Sequence, residues 1–272
     1  MRYSLHKVNK EDSQSFSPSD YSKFKYGDKL TAKQFGTDLF HGFVKVYGDY
    51  LLKSKKDILI IPSPYLSIPT ASSYLCWFFK KELDLFLFKN NKQASIESKI
   101  YRKQTYTVDY GNLSFKERKK LISNDTYYID SEFLKNKVCL FLDDIKITGS
   151  HEETIKEILI NSNVKGEHIY IYFAELINLK INPKIENFFN YSYVKEDQKL
   201  INFICEHEFS FTTRMIKHIL KMEKKSLMQL LAILDESKLD TLFQFSISNN
   251  YHLIDEYSEN LNSIKNYQKK FT

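Results

Sequence analysis

No glycine-rich loop punctuates this chain. Its seven glycines in 272 residues spell neither the G-x-x-x-x-G-K-[ST] of a phosphate-binding P-loop nor the G-x-G-x-x-G of a dinucleotide-binding turn. A P-loop nucleotidase and a Rossmann dinucleotide site are therefore disfavoured. Cysteine is scarce: Cys76, Cys139 and Cys205 are odd in number and far apart. That pattern argues against a disulfide framework and for a cytoplasmic protein. Arginine is limited to Arg2, Arg102, Arg118 and Arg214, so the formal charge of +6 rests on dispersed lysines. Dispersed lysine is a solvated surface more often than a nucleic-acid stripe. With no zinc-knuckle spacing and no strong basic run flanked by stacking aromatics, nucleic-acid binding is a minority reading. A modest positive field suits a small polyanion equally well. The longest apolar runs, 68–79 and 138–142, are too short to span a bilayer, and the first six residues lack the apolar core of a secretion signal.

A hydrophobic content of 42%, with 15% aromatic residues, is ample for a packed core. The polar segment 9–19, with Pro18, reads as a loop. Leu30, Phe35, Leu39, Phe40, Phe43 and Tyr47 recur at helical spacing. Asp57-Ile58-Leu59-Ile60-Ile61, stopped by Pro62, reads as a strand buried on both faces. Pro69 then suits the first turn of a helix to about residue 81, and Leu85-Phe86-Leu87-Phe88 reads as a second strand. Strand, helix, strand implies a parallel crossover. A short charged helix is expected over 115–122. Val138-Cys139-Leu140-Phe141-Leu142 is the clearest buried strand, 152–160 the helix after it, and Ile169-Tyr170-Ile171-Tyr172-Phe173 another strand. Beyond residue 182 the apolar spacing is helical throughout. The expectation is an α/β protein: residues 1–181 form a core with a mostly parallel sheet flanked by helices, and 182–272 form a helical extension packed on it.

The chemistry concentrates in Leu142-Asp143-Asp144-Ile145-Lys146-Ile147-Thr148-Gly149-Ser150-His151. A buried strand ends in two carboxylates, and a turn with one glycine leads into a helix. Ligands of open α/β sheets bind beyond the carboxyl ends of strands. A turn entering a helix there offers unpaired N–H groups and the positive end of the helix dipole to a phosphate. Gly149 lets the backbone approach an anion closely. The carboxylates can accept from ribose hydroxyls or hold Mg²⁺. Ser150 and Glu153 also spell a capping box, which needs no ligand.

This segment resembles the signature of the type I phosphoribosyltransferases, position for position at Asp143, Asp144, Thr148, Gly149 and Ser150. The start Phe24-Lys25-Tyr26-Gly27-Asp28 resembles the ComF-like members, and the whole resembles those of bacterial tellurium-resistance and stress gene clusters. The resemblance implies that Asp143 and Asp144 bind ribose hydroxyls and, through ribose or water, Mg²⁺. It implies that Ile147, Thr148, Gly149, Ser150 and His151 hold the 5-phosphate. Ser63, Pro64, Tyr65, Leu66 and Ser67 would be the pyrophosphate loop, or simply a proline-stiffened turn, and Arg102 a further pyrophosphate contact or an exposed surface arginine. The implied partner is a small sugar phosphate and the implied activity Mg²⁺-assisted phosphoribosyl transfer from phosphoribosyl pyrophosphate. A homodimer is compatible with this reading but not specified by it.

Ile147 stands where many members carry Asp or Thr, and His151 replaces a phosphate-binding Thr or Ser. Glu152 and Glu153 bring negative charge to the helix start. These departures leave open a non-catalytic sugar-phosphate-binding module of the same fold. Elsewhere, the bland readings prevail. Lys23 and Lys25 either face the ligand or, as such lysines usually are, stand solvated, and Cys205-Glu206-His207-Glu208 reads as a polar helix face. Cys139 reads as core, and Trp77-Phe78-Phe79 as packing.

Overall fold

A five-stranded parallel sheet organises the computed structural model, which describes residues 1–10, 14–102 and 127–269. Its strands are β1 (Arg2–Val8), β2 (Ile58–Pro62), β3 (Ile96–Glu97), β6 (Val138–Lys146) and β7 (Glu167–Leu176), in the order β1-β7-β6-β2-β3. Two short strands, β4 (Tyr101–Arg102) and β5 (Tyr127–Tyr128), pair separately. The helix expected over 115–122 lies outside the described residues.

The side-chain alternation of the strands divides the core into two layers. Ile58, Ile60, Val138, Leu140, Leu142, Ile169, Ile171 and Phe173 face α2 (Lys29–Lys53) and α3 (Ala71–Lys89). Leu59, Ile61, Cys139, Phe141, Tyr170 and Tyr172 face Ile155 and Leu159 of α5 (Ser150–Asn161). A strand buried on both faces reads as a continuous apolar run, which is why β2 and β6 were so legible. Phe173 sits in an aromatic nest, stacked on Phe35 at 4.1 Å. Burying each such ring stabilises the fold by about 2 kcal/mol.

Several expectations need correction. Residues 85–88 are not a strand but the last turns of α3. Leu83 and Leu87 are buried four residues apart while Leu85 and Phe88 are exposed, so the period there is helical. The strand after α3 is β3 instead, two residues long and parallel to β2. Pro69 precedes the helix rather than opening it, and Thr70 is the N-cap. The loop over 9–19 is cut short by α1 (Pro18–Lys25), where Ser17 caps and Pro18 supplies the first turn. The first residues form edge strand β1, which the sequence did not suggest. Trp77 is 63% exposed, with its ring 5.3 Å from that of Phe78, so it is not core.

The remaining helices are α4 (Ser131–Leu134), α6 (Ile185–Tyr191), α7 (Asp197–Glu206), α8 (Thr213–Lys221), α9 (Lys224–Ile233), α10 (Glu236–Ser248) and α11 (Asp255–Gln268). Ile185 and Phe189 of α6 join the sheet's core, whereas α7 to α11 build a second apolar cluster shared with Tyr26 and Ile68. Among the described residues no helix is long and apolar enough to cross a membrane.

Candidate active site

β2 and β6 pair only as far as Pro62 and Leu142, whereas β6 continues along β7 to Lys146 and Glu175. Asp143 and Asp144 therefore project beyond the end of β2. The chain leaves β2 toward β3 on one side and leaves β6 toward β7 on the other. The gap between β2 and β6 is the topological switch point, where open α/β sheets form a crevice.

The turn after β6 enters α5 through Gly149, whose φ of +79° lies in the left-handed region. Gly149 is the N-cap and offers no side chain, so the Ser150–Glu153 capping box does not form; Glu153 N–H donates to the Gly149 carbonyl. The first N–H groups of a helix have no intrahelical partner. Here they belong to residues that line a cavity. The Thr148 and Ser150 hydroxyls are 3.0 Å apart. Ile147 is buried and borders the same cavity. Lys146 also lines the cavity, its aliphatic end beside Gly149 and its ammonium 2.9 Å from Glu175.

The two aspartates are held differently. Asp143 Oδ1 accepts from the Asp144 N–H at 2.8 Å, and its Oδ2 lies 3.0 Å from His151 Nδ1. Burial pushes Asp143 up, but the hydrogen bond and charge of His151, with lesser help from Asp144 and Ser63, hold it well below the usual carboxylate range. Asp144 Oδ2 accepts from the Tyr21 hydroxyl at 2.7 Å and from the Lys25 ammonium. Burial outweighs Lys25 there, and together with the neighbouring Asp143 charge it raises Asp144. Lys25, left by the sequence between ligand and solvent, is only 15% exposed and forms part of the site.

Glu152 does not act as a free negative charge at the helix start. Arg2 on β1 grips both its oxygens at 2.9 and 3.0 Å, and Lys156 and the Tyr172 hydroxyl donate to it. Burial favours its neutral form, yet these partners hold its pKa below the ordinary value.

These groups line a cavity of about 320 Å³. Ser63, Pro64 and Arg102 reach it, as do Thr70, Ala71 and Ser72 at the start of α3. Tyr65, Leu66 and Ser67 are not among its lining residues. Tyr65 lies under the Lys99 ammonium, 3.6 Å from its ring centre, and Ser67 bonds Ser248 and Asn249 of the extension. The extension supplies Tyr191, Thr212, Thr213, Arg214, Lys217 and Lys221 to the lining, none of which the sequence reading singled out. Their signal was the spacing of cations at 214, 217 and 221, one face of a helix. Among the described residues no three His, Cys, Asp or Glu side chains cluster as a metal cage, and His207 instead faces Asp28 at 3.1 Å.

A sequence profile described as PRTase ComF-like matches residues 1–264. The chain belongs to the ComF-like phosphoribosyltransferase family. A comparison with curated proteins gives no match. Among solved structures, this ComF-like chain is similar to a hypoxanthine phosphoribosyltransferase from Staphylococcus aureus in two crystal forms, each at 12% identity. The tetragonal form covers 55% of this chain and 75% of that one, with a TM-score of 0.31. The orthorhombic form covers 61% and 78%, with a TM-score of 0.28.

Proposed function

We propose that this ComF-like chain binds phosphoribosyl pyrophosphate and transfers its phosphoribosyl group to a nitrogenous acceptor. The reading rests on one arrangement: the left-handed Gly149 turn opening α5, beside Asp143 and Asp144 at the switch point. The turn's N–H groups and the helix dipole suit the 5-phosphate. The carboxylates accept from the ribose hydroxyls, and Ser63, Pro64 and Arg102 border the space for the leaving pyrophosphate. In the reaction the acceptor nitrogen bonds to C1 of the ribose. The C1–oxygen bond breaks, pyrophosphate leaves with the electron pair, and the nitrogen's proton passes to solvent. Positioning and fixed charges would supply most of the acceleration.

Mg²⁺ fits this site only in company with the ligand. Asp143 and Asp144 provide the hard oxygen donors it prefers, but they are two, and the donor's own oxygens would complete the shell. The ion would neutralise charge on the leaving pyrophosphate. Cys139 is no nucleophile here: it is buried in β6 and its thiol is pushed up to about 12.

A second reading has its own observation. Both carboxylates are already paired within the protein, Asp143 with His151 and Asp144 with Lys25. A ligand must compete with those partners, which favours a module that binds the sugar phosphate without turnover. Pyrophosphate release separates the two. Incubation with phosphoribosyl pyrophosphate, Mg²⁺ and a panel of heterocyclic acceptors is expected to liberate pyrophosphate with at least one acceptor. Binding of the donor without release across the panel would favour the non-catalytic module.

A further inference from the structure

The two faces of α8 go to different places. Met215, Ile216, Ile219 and Leu220 are fully buried in the extension's core, while Arg214, Lys217, His218 and Lys221 line the cavity. Spacings of three, one and three residues put these four on one stripe. His218 adds little charge. Burial, against the pull of Asp197, holds its pKa below the usual value, and its ring joins the Tyr26 hydroxyl at 2.8 Å to Asp197 at 3.1 Å. The charge lies on Arg214, Lys217 and Lys221. Lys221 is 2.8 Å from Glu256, and Arg214 donates to the Tyr191 hydroxyl at 2.8 Å. Among the described residues the extension contributes three cations and one carboxylate, Glu186, to the lining itself, while Glu256 and Asp197, which pair with Lys221 and His218, are not lining residues.

The wall is also fixed in place. Thr213 N–H donates to the Pro69 carbonyl, Thr213 Oγ1 to that of Ile68, and Thr212 Oγ1 to that of Lys25. Tyr74 OH reaches the Phe211 carbonyl at 3.1 Å. The start of α8 is thus bolted to the loop after β2 and to the helix that carries Lys25. The helix that carries the stripe is therefore held in place, so binding there need not order its backbone.

We propose that this stripe receives a carboxylate or phosphate carried by the acceptor, so that the chain takes acidic heterocycles in preference to neutral bases. This rests on the phosphoribosyl-transfer reading. On that reading the α/β core already answers both anionic ends of the donor: the Gly149 turn with Lys146, and the start of α3 with Ser63 and Arg102. The cations of the extension are a third set, on a wall of its own. A cation–carboxylate hydrogen bond made in a partly enclosed site discriminates strongly against a neutral isostere.

The test uses the full chain, saturated with ribose 5-phosphate, and two matched pairs of probes: nicotinate with nicotinamide, and orotate with uracil. Calorimetry is expected to find at least one acid bound about tenfold or more tighter than its neutral partner, as one charge-assisted contact would give. The Arg214→Gln/Lys217→Gln variant is expected to lose that preference while keeping ribose 5-phosphate affinity within about twofold. The Arg214→Lys/Lys217→Arg variant should retain it, which controls for folding. No acid preference in the wild type, or a preference undiminished in the Gln variant, overturns the proposal. A loss of pyrophosphate affinity in the Gln variant as large as the loss for the acids also overturns it, assigning the stripe to the leaving group. Failure of the wild type to bind ribose 5-phosphate is a separate result, and it removes the transfer reading underneath.

Discussion

Asp144 is buried between the Tyr21 hydroxyl and the Lys25 ammonium, and Asp143 is tied to His151. Removing Lys25 would leave a buried carboxylate with one neutral partner. The Lys25→Met variant is expected to lose about 3 kcal/mol at pH 7, because breaking a buried pair strands the other charge. The loss should shrink on acidification, since Asp144 is already raised and the variant can neutralise it by protonation. Urea denaturation of both proteins at pH 7 and 5 measures this, and an equal deficit at both values would contradict it. The acidic pair itself was legible in sequence because a strand ending in Asp-Asp before Thr-Gly-Ser is an unusual string. Lys25 as the partner of Asp144 was not. Lys25 lies 119 residues from Asp144, and no local pattern marks a lysine whose ammonium turns inward.

The same contrast runs through the elements. β2 and β6 announce themselves as continuous apolar runs, and the apolar periodicity of α2 agrees with its buried face at Phe35, Leu39, Phe40 and Phe43 but not at Leu30, which is exposed. The end of α3 misled because four apolar residues in succession fit either period, and only burial of Leu83 and Leu87 chooses between them. β1 alternates poorly because its side chains serve polar tasks: Arg2 binds Glu152 and Glu175, and Ser4 donates to Glu175 at 2.6 Å. That edge strand pairs the helix-start carboxylate with Arg2, which offsets the charge that made Glu152 look hostile to a ligand. The junction between core and extension turns on Gly27, with φ of +92° and a carbonyl that accepts from Ser210 N–H. An added Cβ would meet the Ser210 carbonyl oxygen at 2.0 Å. Gly27→Ala is therefore expected to destabilise the protein by about 3 kcal/mol or more, since both backbones must move. Thermal denaturation tests this; a loss under about 1 kcal/mol would mean the junction is soft.

Across the whole molecule, apolar layers fix the sheet and a few buried charges position the site. Three carboxylates, Asp143, Glu152 and Glu175, have folded-state pKa values depressed below 3.8, 4.5 and 4.5 respectively. A depressed acid contributes stability that is complete above its unfolded value and is lost as pH falls through the folded one. Asp144 acts in the opposite sense, while His6, His168 and His218, all lowered by burial, add a loss that sets in as pH falls below 6.5. Stability is thus expected to decline from about pH 6.5 and to keep falling below about pH 4.5, and a flat profile to pH 3 would contradict the ion-pair assignments. The +6 charge, diffuse by sequence, turns out to matter where the fold gathers it, at Lys25, Lys146 and the α8 stripe around one crevice. That gathering is a product of tertiary structure and left only the 214-217-221 spacing as a trace. The central claim is that the Gly149 turn and the two aspartates hold a phosphorylated ribose. Calorimetric titration of phosphoribosyl pyrophosphate with Mg²⁺ into the wild type and into Asp143→Asn/Asp144→Asn tests it most directly. The wild type is expected to bind and the variant to bind at least about tenfold more weakly, whereas silence in the wild type or equal affinity in both would contradict it.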